Sequence, residues 1–279
     1  HYSDLGAVVF EIPKRPDQRY FVVAEDLWSR TEWPDGELYA PIGEDISGAI
    51  VGVDFSSTSP HLLIAGTTGS GKSVALDTIL RGLCYGKEPD ELRLHLIDPK
   101  FVELSHFADH PHVEGGIGHD TNDAIRVLDE MVVEMLERYQ KFKDAGVKSL
   151  ADFNSHGDTP EEERLPWRVV VLDEYNALTP TATEQRAVEE KLVRITQMGR
   201  AAGIHVIIAT QRPTVDVING VIRANLPAQL ALQTKDSLES RIIIDEAGAE
   251  TLLRKGEALF RSDGDAVRIQ CAAPRSEFG

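Results

Sequence analysis

The sequence predicts an α/β fold, a mostly parallel sheet with helices on both faces, and three observations carry that prediction. From His61 onward, short apolar runs alternate with amphipathic stretches, as strands and crossover helices do in parallel sheets. The first run, His61-Leu62-Leu63-Ile64-Ala65, leads directly into Gly66-Thr67-Thr68-Gly69-Ser70-Gly71-Lys72-Ser73, which fits the phosphate-binding P-loop pattern in its required strand–loop–helix context. A length of 279 residues suits one large domain, or a core with a small appendage.

Residues 1–60 carry short β-like runs at 7–10, 20–23 and 50–53, broken by Pro13, Pro16, Pro34 and Pro41, and read as a small β-rich accessory domain. Residues 61–274 read as the main domain. Its strands are His61–Ala65, the run through Leu94 to Ile97, Val169 to Leu172, Ile204 to Thr210 and Ala228 to Leu232. The clearest helix spans Thr121 to Lys143, where Ala124, Leu128, Met131, Met135, Tyr139 and Phe142 recur three or four residues apart and make the methionines core filler. His156 to Glu163, with Pro160 and three consecutive glutamates, reads as a surface loop. Residues 275–279 show no pattern and read as a tail or a remnant of cloning.

The chemistry of a P-loop follows from its residue types. Gly66, Gly69 and Gly71, with Thr67, Thr68 and Ser70 between them, let backbone N–H groups turn toward phosphate. Lys72 offers a point charge to the β- and γ-phosphates of ATP, and the Ser73 hydroxyl is placed for Mg²⁺. Hydrolysis needs more: a second metal ligand and a residue that orients water. The run Val169 to Leu172 ends in Asp173-Glu174, which puts an aspartate near the metal and a glutamate beside the attacking water. The next strand ends in Thr210-Gln211, and Gln211 suits a γ-phosphate sensor at the sheet edge where open α/β sheets bind ligands. Asp98-Pro99-Lys100 ends another strand, either as support for the nucleotide site or as a turn.

Composition excludes several classes. No apolar run approaches the roughly 18 residues of a membrane span, and the first residues lack a basic stretch followed by an apolar one, so the sequence as it stands reads as cytoplasmic. Cys84 and Cys271 cannot form a disulfide framework and read as reduced core residues without a metal role. The net charge of −17 is unlike that of most nucleic-acid-binding domains. The charge is unevenly spread, however: between Arg200 and Lys235, Asp216 is the only acidic residue against Arg200, Arg212, Arg223 and Lys235. An acidic ring with a modestly basic interior has this pattern, and so does an ordinary acidic enzyme.

Four stretches in order, His61 to Ser73, Ile97-Asp98-Pro99-Lys100, Arg200-Ala201-Ala202-Gly203-Ile204-His205 and Ala209 to Gly220, resemble the motor domain of the FtsK/SpoIIIE family of double-stranded DNA translocases. Ile222 to Pro227, Ser240-Arg241 and Asp245 to Glu250 resemble the stretches that follow in that family. The resemblance covers about residues 41 to 272. It implies a RecA-like P-loop NTPase that uses ATP and Mg²⁺, assembles as a homo-hexamer around duplex DNA, and completes each ATP site with an arginine from the neighbouring subunit. Arg200 is the first candidate for that arginine and Arg241 the second. Arg212 and Arg223, with Asn219 as a neutral donor, are the candidate DNA contacts; the alternative is an interface loop.

The chain departs from the family pattern in three ways. It shows no membrane-spanning amino-terminal region and no carboxy-terminal winged-helix module of the kind that reads orienting sequences in chromosome-partitioning members, which leaves room for flanking domains or an anchor in a full-length protein. It is unusually acidic. Asp173-Glu174 also continues as Tyr175-Asn176-Ala177-Leu178, where Phe-Ala-Asp is commoner. Related type VII secretion ATPases move polypeptide, which makes protein export the second reading and a nucleotide-dependent scaffold the third. Chromosome partitioning, plasmid transfer and a translocating subunit of a defence system all fit the motor.

Overall fold

A computed structural model describes residues 21–57, 59–157 and 159–277. One ten-stranded sheet organises the chain in the order β2-β1-β10-β9-β8-β3-β7-β6-β4-β5. The strands are β1 Tyr39–Asp45, β2 Ile50–Asp54, β3 His61–Ala65, β4 Leu92–Ile97, β5 Val113–Gly118, β6 Trp167–Leu172, β7 Ile204–Thr210, β8 Ala228–Leu232, β9 Glu257–Arg261 and β10 Val267–Cys271. The helices are α1 Ala24–Arg30, α2 Lys72–Gly86, α3 Thr121–Ala145, α4 Leu150–Ser155, α5 Tyr175–Leu178, α6 Ala182–Ala202, α7 Gly220–Asn225 and α8 Ser237–Ile244.

From β8 to β5 every pairing is parallel. The strands expected from apolar runs in the main domain all fall in this block, because a strand covered on both faces has no polar side to alternate with, and the expected run at 50–53 is β2 of the antiparallel block. Leu62 and Ile64 of β3 point into a core under α2, and Leu63 and Ala65 point into a second core under α3, α6 and α8. Helices therefore cover both faces, as expected. The predicted long helix is α3. Asp120 caps its start, accepting from the Asp123 N–H, and Gly146 closes it at φ +71°.

The other end of the sheet is antiparallel: β8 pairs β9, β9 pairs β10, β10 pairs β1 and β1 pairs β2. The β-rich segment before residue 60 thus continues the sheet of the main domain and shares its apolar core through Leu38, Ala40, Ile42, Val53 and Phe55. Pro41 lies within β1, at the point where the β1–β2 register shifts, an irregularity that accommodates a residue with no N–H to donate. Gly43 is required by proximity, since a Cβ there would meet the Gln270 carbonyl oxygen at 2.1 Å.

The expected run at 7–10 and Tyr20 lie outside the described residues, as do residues 278–279. Of the run at 20–23, Val23 makes one bridge to Ala273 and caps α1 instead of forming a strand. The segment from His156 onward is the expected exposed loop, with a single 3-10 turn at Glu161–Glu163. The tail is tied down in part: the Arg275 N–H donates to the Glu25 carboxylate, and its guanidinium pairs Asp26 at 2.8 Å.

Candidate nucleotide site

The octapeptide forms the turn its glycines allow. Gly69 and Gly71 adopt φ +79° and +105°, and a Cβ on Gly71 would meet the Gly256 nitrogen at 2.7 Å, so only glycine fits there. The loop is fixed from outside: the Thr67 N–H and hydroxyl both donate to the Gln233 carbonyl, and the Gly256 N–H donates to the Ser70 carbonyl. Lys72 and Ser73 then begin α2, whose N-terminal end faces the loop. A cleft of about 690 Å³ opens over it, lined by the P-loop, Gln211, Lys255 and the Gln270 to Ala273 segment.

The strand order explains how distant residues meet. β7 lies between β3 and β6, so its end, Thr210-Gln211, stands between the P-loop and Asp173-Glu174. Gln211 touches both sides. Its side-chain oxygen accepts from the Thr68 hydroxyl at 2.7 Å, and its backbone N–H donates to Glu174 Oε1 at 3.3 Å. Thr210 in turn shares a hydrogen bond with Asn176 at 3.2 Å.

Lys72 and Asp173 are buried against each other, the Lys72 ammonium donating to Asp173 Oδ1. Burial pushes the Asp173 carboxyl above its ordinary value; the Lys72 ammonium pulls it down, and the nearby Asp98 pushes it up again. Glu174 is also buried, in the left-handed conformation at φ +48°, an uncommon backbone for a side chain this long. Lys100 reaches it from the surface, Nζ lying 3.2 Å from Oε2.

Asp98-Pro99-Lys100 forms the expected turn and also brings Lys100 to Glu174. The buried Asp98 carboxylate accepts N–H bonds from Lys100, Val102, Glu103 and Leu104, each at 3.0 Å, and this folds the turn that presents Lys100 to Glu174. Sequence reading missed Asn176, Lys255 and Gly256. A Lys-Gly pair ahead of an apolar run was the available signal for the last two, and nothing local linked it to the P-loop.

The arrangement fits a Mg²⁺-nucleotide on the chain's own evidence. The loop presents N–H groups through left-handed glycines, the Ser70 hydroxyl is buried without a partner, and a buried carboxylate and a hydroxyl flank the lysine.

The other predicted residues lie elsewhere. Arg200 is exposed at the end of α6, donating to the Ser56 carbonyl at 3.3 Å, where β7 begins. The seven residues of β7 separate it from its own P-loop by about 20 Å. Arg241 is exposed on α8, with Nη1 3.3 Å from the Ser237 hydroxyl. Arg212 is exposed on the loop leaving β7. Arg223 is committed within the fold, pairing Asp245 at 2.9 Å and the Arg241 carbonyl at 3.1 Å. Asn219 is fully employed: Oδ1 caps α7 by accepting from Val221 and Ile222, and Nδ2 donates to Glu189 at 2.6 Å.

The chain is similar to known proteins along most of its length. The model of the FtsK/SpoIIIE family matches residues 23–215. The chain is 42% identical over 275 residues to the DNA translocase FtsK of Campylobacter jejuni, covering 97% of the chain and 28% of that protein. It is 45% identical over 236 residues to the DNA translocase SftA of Bacillus subtilis, covering 84% of the chain and 24% of that protein. The chain thus spans about a quarter of the length of these relatives. Among solved structures, the pCW3 conjugation coupling protein TcpA with ATPγS superposes with a TM-score of 0.80 at 25% identity, over 96% of this chain and 72% of that one. The cytoplasmic domain of the Thermomonospora curvata type VII secretion ATPase EccC gives 0.71 at 25% identity, over 90% and 30%.

Proposed function

This chain belongs to the FtsK/SpoIIIE family of P-loop ATPases, and on that premise we propose that it hydrolyses ATP to move double-stranded DNA as a ring of identical subunits. One observation carries the hydrolytic part. Gln211 is bonded to the P-loop through Thr68 and to Glu174 through its own N–H, so a change at the phosphate end of the cleft is felt by the residue that would handle water.

Each residue then has a task. Lys72 and the loop N–H groups would hold the phosphates, and Ser73 and Asp173 would hold Mg²⁺, whose chemistry when bound would be to neutralise phosphate charge. With nucleotide bound, the Lys72 ammonium would turn from Asp173 to phosphate and leave Asp173 Oδ1 available as a metal ligand. Glu174 accepts a proton from water, with Lys100 and the Gln211 N–H fixing its two oxygens. On this reading the domain works on the cytoplasmic side. Duplex DNA should raise the ATPase rate of the purified chain; an unchanged rate across a wide range of duplex concentrations, with assembly shown, overturns the DNA reading. Stimulation by an export-signal peptide in its place would favour the secretion reading, to which the likeness to EccC gives weight.

The distance between Arg200 and its own P-loop supports action on a neighbour, because an arginine at the far sheet edge cannot reach the phosphates of its own subunit. Arg241 is the second candidate for that role. Arginines supplied in trans contribute about 10³-fold or more to such reactions. Lys72→Ala and Arg200→Ala subunits, each inactive alone, should recover part of the activity when mixed. No recovery at any ratio, with assembly intact, removes Arg200 from the role.

The proposed DNA-facing segment runs from Arg212 to Asn225. Arg212 is its main phosphate contact, Asn219 shapes the loop by capping α7, and Arg223 reaches DNA by exchanging Asp245 for phosphate. Such contacts hold the backbone without reading sequence. Arg212→Ala with Arg223→Ala should abolish duplex stimulation, spare the basal rate, and lower the salt slope by about 0.9 for each phosphate that is no longer neutralised. Normal translocation with an unchanged slope assigns the segment to the subunit interface.

A further inference from the structure

We infer that Cys84, His110 and His112 form a binding site for a thiophilic transition-metal ion, Zn²⁺ by its ligand chemistry, which ties the end of the P-loop helix to the loop before β5. Their ligand atoms all lie within 4.8 Å of one another. A tetrahedral zinc ion with two nitrogens and one sulfur needs about 3.3–3.7 Å between ligand atoms, so small side-chain rotations of about 1 Å close the set and leave the fourth position to water.

The second observation is independent of that proximity. His112 is only 5% exposed, and its Nδ1 is buried without a hydrogen-bond partner. Its Nε2 lies 2.8 Å from the carbonyl oxygen of Lys87, the residue that caps α2. A carbonyl only accepts, so Nε2 carries the proton and Nδ1 presents a lone pair into the cluster. This is the tautomer and orientation that a backbone carbonyl imposes on metal-binding histidines. An orphaned imidazole nitrogen in an apolar setting is costly unless something takes that lone pair.

The surroundings suit a cation poorly in one respect and well in another. Arg81 is close, but both oxygens of Asp77 hold its guanidinium, at 2.9 and 2.8 Å, and neutralise it. Burial pushes the Cys84 thiol up to about 12 and His110 below its ordinary value. Binding exchanges the thiol proton for the metal: the S–H bond breaks, an S–metal bond forms, and the proton leaves to solvent. Cys84 stands about 18 Å along α2 from Lys72, too far to touch phosphate. The ion's role is therefore to fix the helix that carries Lys72 and Ser73.

The test uses the purified chain after treatment with a chelator and its removal, with Co²⁺ as the probe. One equivalent should bind with a thiolate-to-cobalt charge-transfer band and the d–d bands of a tetrahedral site, and Zn²⁺ should displace it. Cys84→Ala should lose the charge-transfer band, Cys271→Ala should keep it, and His110→Asn should weaken binding by about tenfold or more. Because His112 is buried, His110→Asn and Cys84→Ala keep the test open if His112→Ala does not fold. No thiolate band, a band that survives Cys84→Ala, or equal affinity in His110→Asn overturns the site. ATP hydrolysis plays no part in these readouts, so they stand or fall separately from the motor reading.

Discussion

Lys72→Ala is expected to abolish ATP hydrolysis, by about 10²–10³-fold or more, because it removes the one mobile cation that the loop aims at the phosphates. The same substitution also changes the folded chain. Lys72 neutralises Asp173 where both are buried, so its loss leaves a carboxylate without its partner. Breaking a buried pair in this way costs up to about 3–5 kcal/mol, less whatever Asp173 recovers by taking up a proton. The sign of the pH dependence follows. The Asp173 carboxyl already titrates above its unfolded value, so between those two values the folded chain holds the extra proton and its stability falls as pH rises. Without Lys72 the strongest downward pull is gone, and the window widens upward. The variant should be nearly as stable as the parent at mildly acid pH and fall behind it toward neutrality, as denaturant melts would read. Adding Asp173→Asn to Lys72→Met should restore stability and leave hydrolysis absent. Normal turnover by Lys72→Ala ends the P-loop reading; a stability deficit that shrinks toward neutral pH ends the buried-pair argument.

What the sequence makes legible is what it stores locally. Of the six parallel strands, the five that are buried along nearly their whole length announce themselves as apolar runs; β5, Val113–Gly118, is the partly exposed edge strand, is half glycine and gives no such signal. The P-loop, Asp173-Glu174 and Gln211 are legible because strand ends carry polar residues only for a reason. The antiparallel half is less so: the run at 50–53 is found as β2, but β9, Glu257–Arg261, has five residues, two of them charged, and is held by tertiary pairing with β8 and β10. The contact between Lys100 and Glu174 spans two strands that are neighbours only in the sheet. Asn219 carries a local signal for a role other than the one expected of it: an asparagine before Gly220-Val221-Ile222 is a helix cap, and the structure uses it as one. Cys84 and His110 are separated by a helix end, a strand and a turn, so no spacing rule joins them.

Glu174→Gln separates binding from chemistry more cleanly than any other single change, and it is expected to lower hydrolysis by about 10²–10⁴-fold while ATP still binds. The geometry explains why the fold should tolerate it. Glutamine keeps the length of the side chain and an oxygen able to accept the Gln211 N–H now bonded to Oε1 at 3.3 Å. What is lost is a negative charge facing Lys100, which is half exposed and can turn to solvent, so the ion pair contributes little to stability. The backbone at φ +48° is unchanged by the substitution and goes on aiming the group at the cleft. Asp173 and Ser73 remain to hold Mg²⁺, and Lys72 to hold phosphate. Only the capacity to take a proton from water is removed. Equilibrium binding of a fluorescent ATP analogue, measured beside single-turnover hydrolysis, reads the two effects apart. If affinity collapses together with rate, Glu174 is a ligand of the bound nucleotide–metal complex and the division of labour between the adjacent carboxylates must be reversed.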